Sequence, residues 1–162
     1  MTSTQNELFE LLDRAKYLFL REISEPDENW LRLVVEEGAA DRSQTIRRQD
    51  PTGSLAEILR GAAPVTKFEG SKTFELRWSG YVGYLVTDEV AGSSGSHEGE
   101  VYSGRLFRVY TKSHFLDHLA RDTGNHVLPV RHFKLVCQNH LIDVGSYNLP
   151  EIRLLKSEPI DQ

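Results

Sequence analysis

Apolar residues near the start of the chain recur at three- and four-residue spacing. Leu8, Leu11, Leu12, Ala15, Leu18 and Phe19 form one stripe, and Phe9, Leu20 and Ile23 widen it. Glu7, Glu10, Arg14 and Arg21 occupy the other side, with Glu10 and Arg14 one turn apart. Thr4 followed by Glu7 makes a capping box, which satisfies free amides at a helix start. The pattern predicts a long N-terminal helix spanning residues 5–23 of an N-terminal segment 1–23. Pro26 ends it, because the residue before proline avoids the helical region.

The period then falls to two. Leu31, Leu33 and Val35 alternate with Arg32, Val34 and Glu36, which predicts a strand over residues 30–36. Residues 38–53 have no period and predict a loop. Ser54 and Glu57 could cap a short helical turn ended by Gly61. Phe74, Leu76 and Trp78 alternate with Thr73, Glu75 and Arg77. The Ser79-Gly80 link predicts a hairpin from this strand into residues 81–87, where Gly83 marks a gap in one face. Further strands are predicted at residues 106–111, 131–138, 140–144 and 151–155. Ser113 caps a short helix over residues 114–122, closed by Gly124. Residues 91–104 hold four glycines and four serines and predict a flexible loop.

Short links between successive strands favour antiparallel pairing. The expected architecture is a single α+β domain over residues 1–162. It is a mostly antiparallel sheet of about five to six strands, with the long N-terminal helix and one short later helix packed on it. No GxGxxG or Walker A sequence is present, so a doubly wound nucleotide fold is not expected.

Composition narrows the function classes. The chain has 162 residues with 39% hydrophobic and 27% charged, values of an ordinary globular domain. Its net charge is −5, from 19 basic and 24 acidic residues, so the basic excess that nucleic acid binding draws on is missing. No stretch approaches the roughly 18 apolar residues of a membrane span, and the N-terminus has no basic n-region. The expected location is cytoplasmic, with neither a nucleic acid nor a membrane partner. A single cysteine, Cys137, excludes an internal disulfide and a multi-cysteine zinc site. Its strand parity with Phe133 and Leu135 places it in the core rather than among nucleophiles.

Several constellations could carry chemistry. Arg108 and Tyr110 share a strand face directly before Lys112, and with Lys112 and His132 could bind an anionic group, Glu89 being counted in the same candidate set. The structural alternative is an ion pair from Arg108 to Asp88 or Glu89, with Tyr110 packed over it. His114 and His118 lie one helical turn apart, as a metal site needs, with a third ligand to come from His97, His126 or Glu98. Surface histidines are the plainer reading, and no cofactor is expected. Asp88 with Glu89, or Glu98 with Glu100, could do acid-base work. Trp78, Tyr81 and Tyr84 are aromatic neighbours expected in the core.

Three segments carry a resemblance: GRLFRVYTKSHFLDHL (residues 104–119), HFKLVCQNHLIDV (132–144) and FELRWSGYVGYLVTDE (74–89). There the chain resembles small bacterial proteins with no assigned activity. The resemblance implies a bacterial, cytoplasmic, single-domain protein and brings no catalytic residues with it. The function expected from the sequence is a non-enzymatic interaction protein of the immunity type, binding a protein partner through its sheet face or the 91–104 loop. The alternatives are a hydrolase, metal-assisted or acid-base through Glu89 and its neighbours, and a small anionic-ligand binder using the Arg108 and Tyr110 face.

Overall fold

The computed structural model describes residues 3–40, 65–66, 68, 70–90, 98–124 and 129–155. Among these residues the fold is α+β, with two helices and two antiparallel sheets of five strands each. The helices are α1 (Ser3–Arg14) and α2 (His114–Asp122). Sheet 1 runs β1 (Tyr17–Asp27), β2 (Trp30–Ala40), β4 (Thr73–Ser79), β10 (Glu151–Leu155), with β3 (Val65–Thr66) paired to the end of β2. Sheet 2 runs β5 (Tyr81–Asp88), β9 (His140–Ser146), β8 (Arg131–Val136), β7 (Phe107–Lys112), β6 (Val101–Ser103).

Three expectations are corrected. The N-terminal helix is 12 residues long, not a helix through residue 23. Tyr17–Asp27 is an edge strand, paired with β2 through the two-residue link Glu28-Asn29. Asn29 takes the left-handed conformation at φ 58°, which asparagine tolerates in such turns. Pro26 does not stop a helix. It lies in this edge strand, within a register shift between Ser24 and Asp27, where a missing N–H costs the ladder nothing. The second correction concerns Ser79-Gly80, which is not a hairpin. β4 belongs to sheet 1 and β5 to sheet 2, and Gly80, at φ 75°, turns the chain from one to the other. A single sheet of five to six strands is thereby replaced by two sheets. The third correction concerns residues 91–104: Val101–Ser103 form β6, while residues 91–97, like the turn predicted at 54–61, lie outside the described residues.

One core joins the sheets. Leu31, Leu33, Val35, Phe74, Leu76, Trp78 and Ile152 come from sheet 1, and Phe107, Phe133, Leu135, Ile142 and Val144 from sheet 2. Trp78 and Phe133 meet across the layers with ring centroids 6.0 Å apart, and Phe9 of α1 stacks on Phe107 at 5.0 Å. Cys137 is buried in this cluster, and burial pushes its thiol up to about 12. Helix α1 is tied down by polar contacts as well. The Asp13 carboxylate accepts the backbone N–H groups of Arg105, Leu106 and Phe107 at 2.7, 2.7 and 2.9 Å, fixing the start of β7.

The outer face of sheet 1 carries a charge ladder. Glu75, almost wholly buried, lies 2.5 Å from Arg32 Nε and 2.9 Å from Arg77 Nε. Arg32 also holds Glu22 at 2.5 Å. Burial works against the charged form of Glu75. The hydrogen bonds from Arg32 and Arg77 outweigh it, so the carboxyl stays below its ordinary value.

Candidate functional site

Helix α2 begins where β7 ends. Ser113 is its N-cap, and Ser113 Oγ accepts the Leu116 N–H at 3.1 Å. The helix lies over the outer face of sheet 2. Two glycines let it approach: a Cβ at Gly145 of β9 would collide with the Leu119 side chain, and one at Gly83 of β5 would meet Leu119 at 3.3 Å. Phe115 tilts over His132 of β8, with ring centroids 4.9 Å apart.

Beneath α2 runs a buried chain of polar groups. His132 Nδ1 lies 2.8 Å from Ser113 Oγ, and His132 Nε2 lies 2.8 Å from Asp143 Oδ1. The same carboxylate oxygen is 3.2 Å from Lys134 Nζ. Ser113, His132 and Asp143 are all buried. Hydrogen counting is satisfied throughout. With His132 in the Nε2–H tautomer, the Ser113 hydroxyl donates to Nδ1 while accepting from Leu116, and Nε2–H donates to Asp143, which also meets the Lys134 ammonium.

Serine, histidine and aspartate in contact are the components of a nucleophilic triad. Here the arrangement holds the helix start. The serine oxygen is committed to the cap, and all three groups are shielded from water. A cavity of about 170 Å³ opens beside Ser113, lined by Glu98, Gly99, Glu100, Lys112, Ser113, His114 and Asp117. Glu100 Oε1 accepts the His114 backbone N–H at 3.0 Å there.

The residues singled out from sequence are partly united. Tyr110 pairs with His132 across β7 and β8, and the rings stack at 4.2 Å. Tyr102 of β6 packs on Tyr110 at 4.9 Å, and the Arg108 guanidinium sits 4.6 Å from the Tyr102 ring centroid. These contacts make one continuous stack from Arg108 to Phe115. The Tyr110 hydroxyl is buried with no hydrogen-bond partner among the described residues. Burial pushes its pKa up, with Arg108 pulling the other way. Lys112 faces the cavity instead. Glu89 is not part of this group: β5 and β7 lie on opposite sides of β9 and β8, so neither Asp88 nor Glu89 pairs with Arg108. His114 lines the cavity, and His118 faces Asp122 at 3.5 Å on the exposed side of α2. Among the described residues, no group of three or more His, Cys, Asp or Glu side chains gathers as a metal site would. His97 and His126 lie outside those residues. Sequence reading missed Ser113 and Asp143. Only the cap signal at Ser113 and the alternation of Asp143 among apolar neighbours pointed to them.

A different surface stands out on β5. Trp78 is in the core as expected, but Tyr81 and Tyr84 belong to sheet 2, and residues 84–86 are an exposed Tyr-Leu-Val run. Leu85 is 51% exposed. β5 is an edge strand, and the other edges are guarded. On β1, the Asn139 side-chain amide pairs with both the N–H and the C=O of Leu20, each at 2.9 Å. On β10, the Gln5 amide does the same to Ile152 at 2.9 and 3.0 Å. β6 has only three residues. β5 has eight, and among the described residues the backbone of residues 83–87 is hydrogen-bonded only to β9. Tyr84 is held in place by donating to Glu25 of β1 at 2.9 Å.

No described helix is long and apolar enough to cross a membrane. No family model matches the chain, and neither a curated protein nor a solved structure matches it.

Proposed function

We propose that the protein is a non-enzymatic binding module that takes a protein partner on the β5 edge by strand addition. One observation carries this: the exposed Tyr84-Leu85-Val86 run lies on the one long sheet edge left without a side-chain amide or helix over it among the described residues. An added strand would find main-chain hydrogen bonds along residues 83–87 and apolar contacts on both faces. The acidic net charge favours encounter with a basic partner. A photo-cross-linking residue at Leu85 should capture a defined protein stoichiometrically, and the same residue at Val101 should not. Leu85→Lys should abolish co-purification of that protein. Repeated recovery of no partner from Leu85 would sink the proposal.

A second reading, a serine hydrolase, rests on the Ser113–His132–Asp143 chain and the adjacent cavity. It requires Ser113 to leave its cap. A fluorophosphonate probe should then label Ser113 in the folded protein, and absence of labelling removes this reading.

A further inference from the structure

We propose that Arg108, Lys134 and Tyr110 form a binding site for a small oxyanion, the phosphate or carboxylate group of a ligand, on the outer face of sheet 2. The site spans β7 and β8 and is independent of the β5 edge.

Arg108 and Lys134 are directly opposed across β7 and β8, on the face away from the core. Like charges in directly opposed positions destabilise a sheet. Lys134 is not a freely solvated lysine, because its side chain is only 11% exposed. Its ammonium carries three N–H donors and meets one oxygen among the described residues, Asp143 Oδ1. His132 Nε2 already lies 2.8 Å from that same oxygen. Arg108 donates through Nε to the Arg105 carbonyl at 3.2 Å, and Tyr102 holds its guanidinium from below. Its terminal amino groups have no carboxylate acceptor among the described residues. Tyr110 shares this face, two positions along β7, and its buried hydroxyl has no hydrogen-bond partner there. A buried donor without an acceptor is costly.

Two cations and a phenol thus share one face with a single buried carboxylate, Asp143, which His132 and Lys134 already divide. The face is rich in donors and short of acceptors. An oxyanion supplies what it lacks. Its oxygens take the Arg108 fork, its charge offsets the repulsion between Arg108 and Lys134, and it gives the Tyr110 hydroxyl an acceptor. A neutral ligand would leave the repulsion in place, and a cation would add to it. Arg108 is half-buried, and turning its arm off Tyr102 gives an incoming oxyanion access to all three donors. Lys112 stays out of the site, since it lines the cavity beside Ser113. Glu100 does not supply the missing acceptor to Arg108, because its Oε1 is engaged with the His114 N–H at 3.0 Å.

The test titrates the whole chain in Tris chloride with sodium phosphate and, separately, with sodium succinate, by isothermal calorimetry. Sodium chloride at matched ionic strength is the control. The expected result is saturable binding of at least one oxyanion with a Kd of about 5 mM or tighter. Arg108→Gln, folded by circular dichroism, should weaken it at least about tenfold, and Tyr110→Phe at least about threefold. Lys112→Gln should leave it unchanged. Thermal melts separate binding from a structural role. Without oxyanion, Arg108→Gln should melt no lower than wild type, because a like-charge pair is gone; with phosphate or succinate, wild type should gain and the variant should not. Binding of phosphate alone assigns a phosphate group, and binding of succinate alone a carboxylate. No saturable binding of either overturns the proposal. So does binding that Arg108→Gln leaves intact or that Lys112→Gln abolishes, and so does an Arg108→Gln melt lowered equally with and without oxyanion.

Discussion

His132 Nε2 lies 2.8 Å from Asp143 Oδ1, and neither side chain meets water appreciably. Lys134 shares that oxygen at 3.2 Å. Replacing Asp143 by asparagine removes the only carboxylate among these contacts and leaves the Lys134 cation largely buried beside a neutral amide. Asp143→Asn is expected to cost about 3 kcal/mol in urea unfolding. The double variant Asp143→Asn with Lys134→Met should recover a large part of that loss, since the stranded charge is gone. An additive or larger loss in the double variant would count against the pairing.

Ser113 serves two partners, so its loss should be felt at both. Ser113→Ala removes the α2 cap, about 1 kcal/mol, and leaves His132 Nδ1 buried without a donor, about 1–3 kcal/mol. Hydrogen exchange should quicken across residues 114–122 before it quickens in β4. Unchanged protection of α2 would contradict the assignment.

Glu75 predicts an acid limb in the stability profile. Its carboxyl is held below the ordinary value of 4.5 in the fold, although burial opposes this, because Arg32 and Arg77 hydrogen-bond the charged form. A depressed folded value means its stabilisation is fully present above the unfolded value and lost as pH falls through the folded one. The difference in unfolding free energy between wild type and Glu75→Gln should therefore be level above pH about 5 and shrink below it. Its plateau should be about 2 kcal/mol, the scale of hydrogen bonds to a charged group. A difference that grows on acidification would reverse the assignment.

Cys137 is buried in the core, with its thiol pushed up to about 12. Ellman's reagent should leave it untouched in native buffer and titrate one thiol per chain in denaturant. Rapid native reaction would show that the core around it opens readily.

Gly145 is where α2 comes closest to the sheet. Gly145→Ala should displace Leu119 and lower stability by about 2 kcal/mol, on the scale of overpacking. Gly83→Ala, with Leu119 at 3.3 Å, should cost distinctly less. Thermal melts of the two variants give the ordering directly.

Much of the fold can be read from local pattern. The α2 boundaries, the strand at residues 151–155 and the burial of Cys137 follow from spacing alone. Local pattern misplaces β1 because Leu18 and Phe19 satisfy a helical stripe as readily as Leu18 and Leu20 satisfy a strand. The pairing of Leu20 with Val35 that decides between them is invisible locally. Ser79-Gly80 fails for a similar reason: a tight glycine turn within a sheet and one that passes between sheets share the same residues. At the site, Tyr110 beside His132 was within reach, since both lie on predicted strands. Ser113 and Asp143 join them only through the order of β7, β8 and β9, a relation carried by packing rather than by spacing.

The contacts that hold α1 also fix when the molecule can be finished. Asp13 anchors to backbone 92 to 94 positions later, and Gln5 to Ile152, 147 positions later. On a ribosome α1 emerges well before its partners and must wait, its apolar face unmatched, until β7 and then β10 have been made. Closure of sheet 1 is therefore a late event in biosynthesis, and the interval before it is when a nascent chain most needs protection from aggregation.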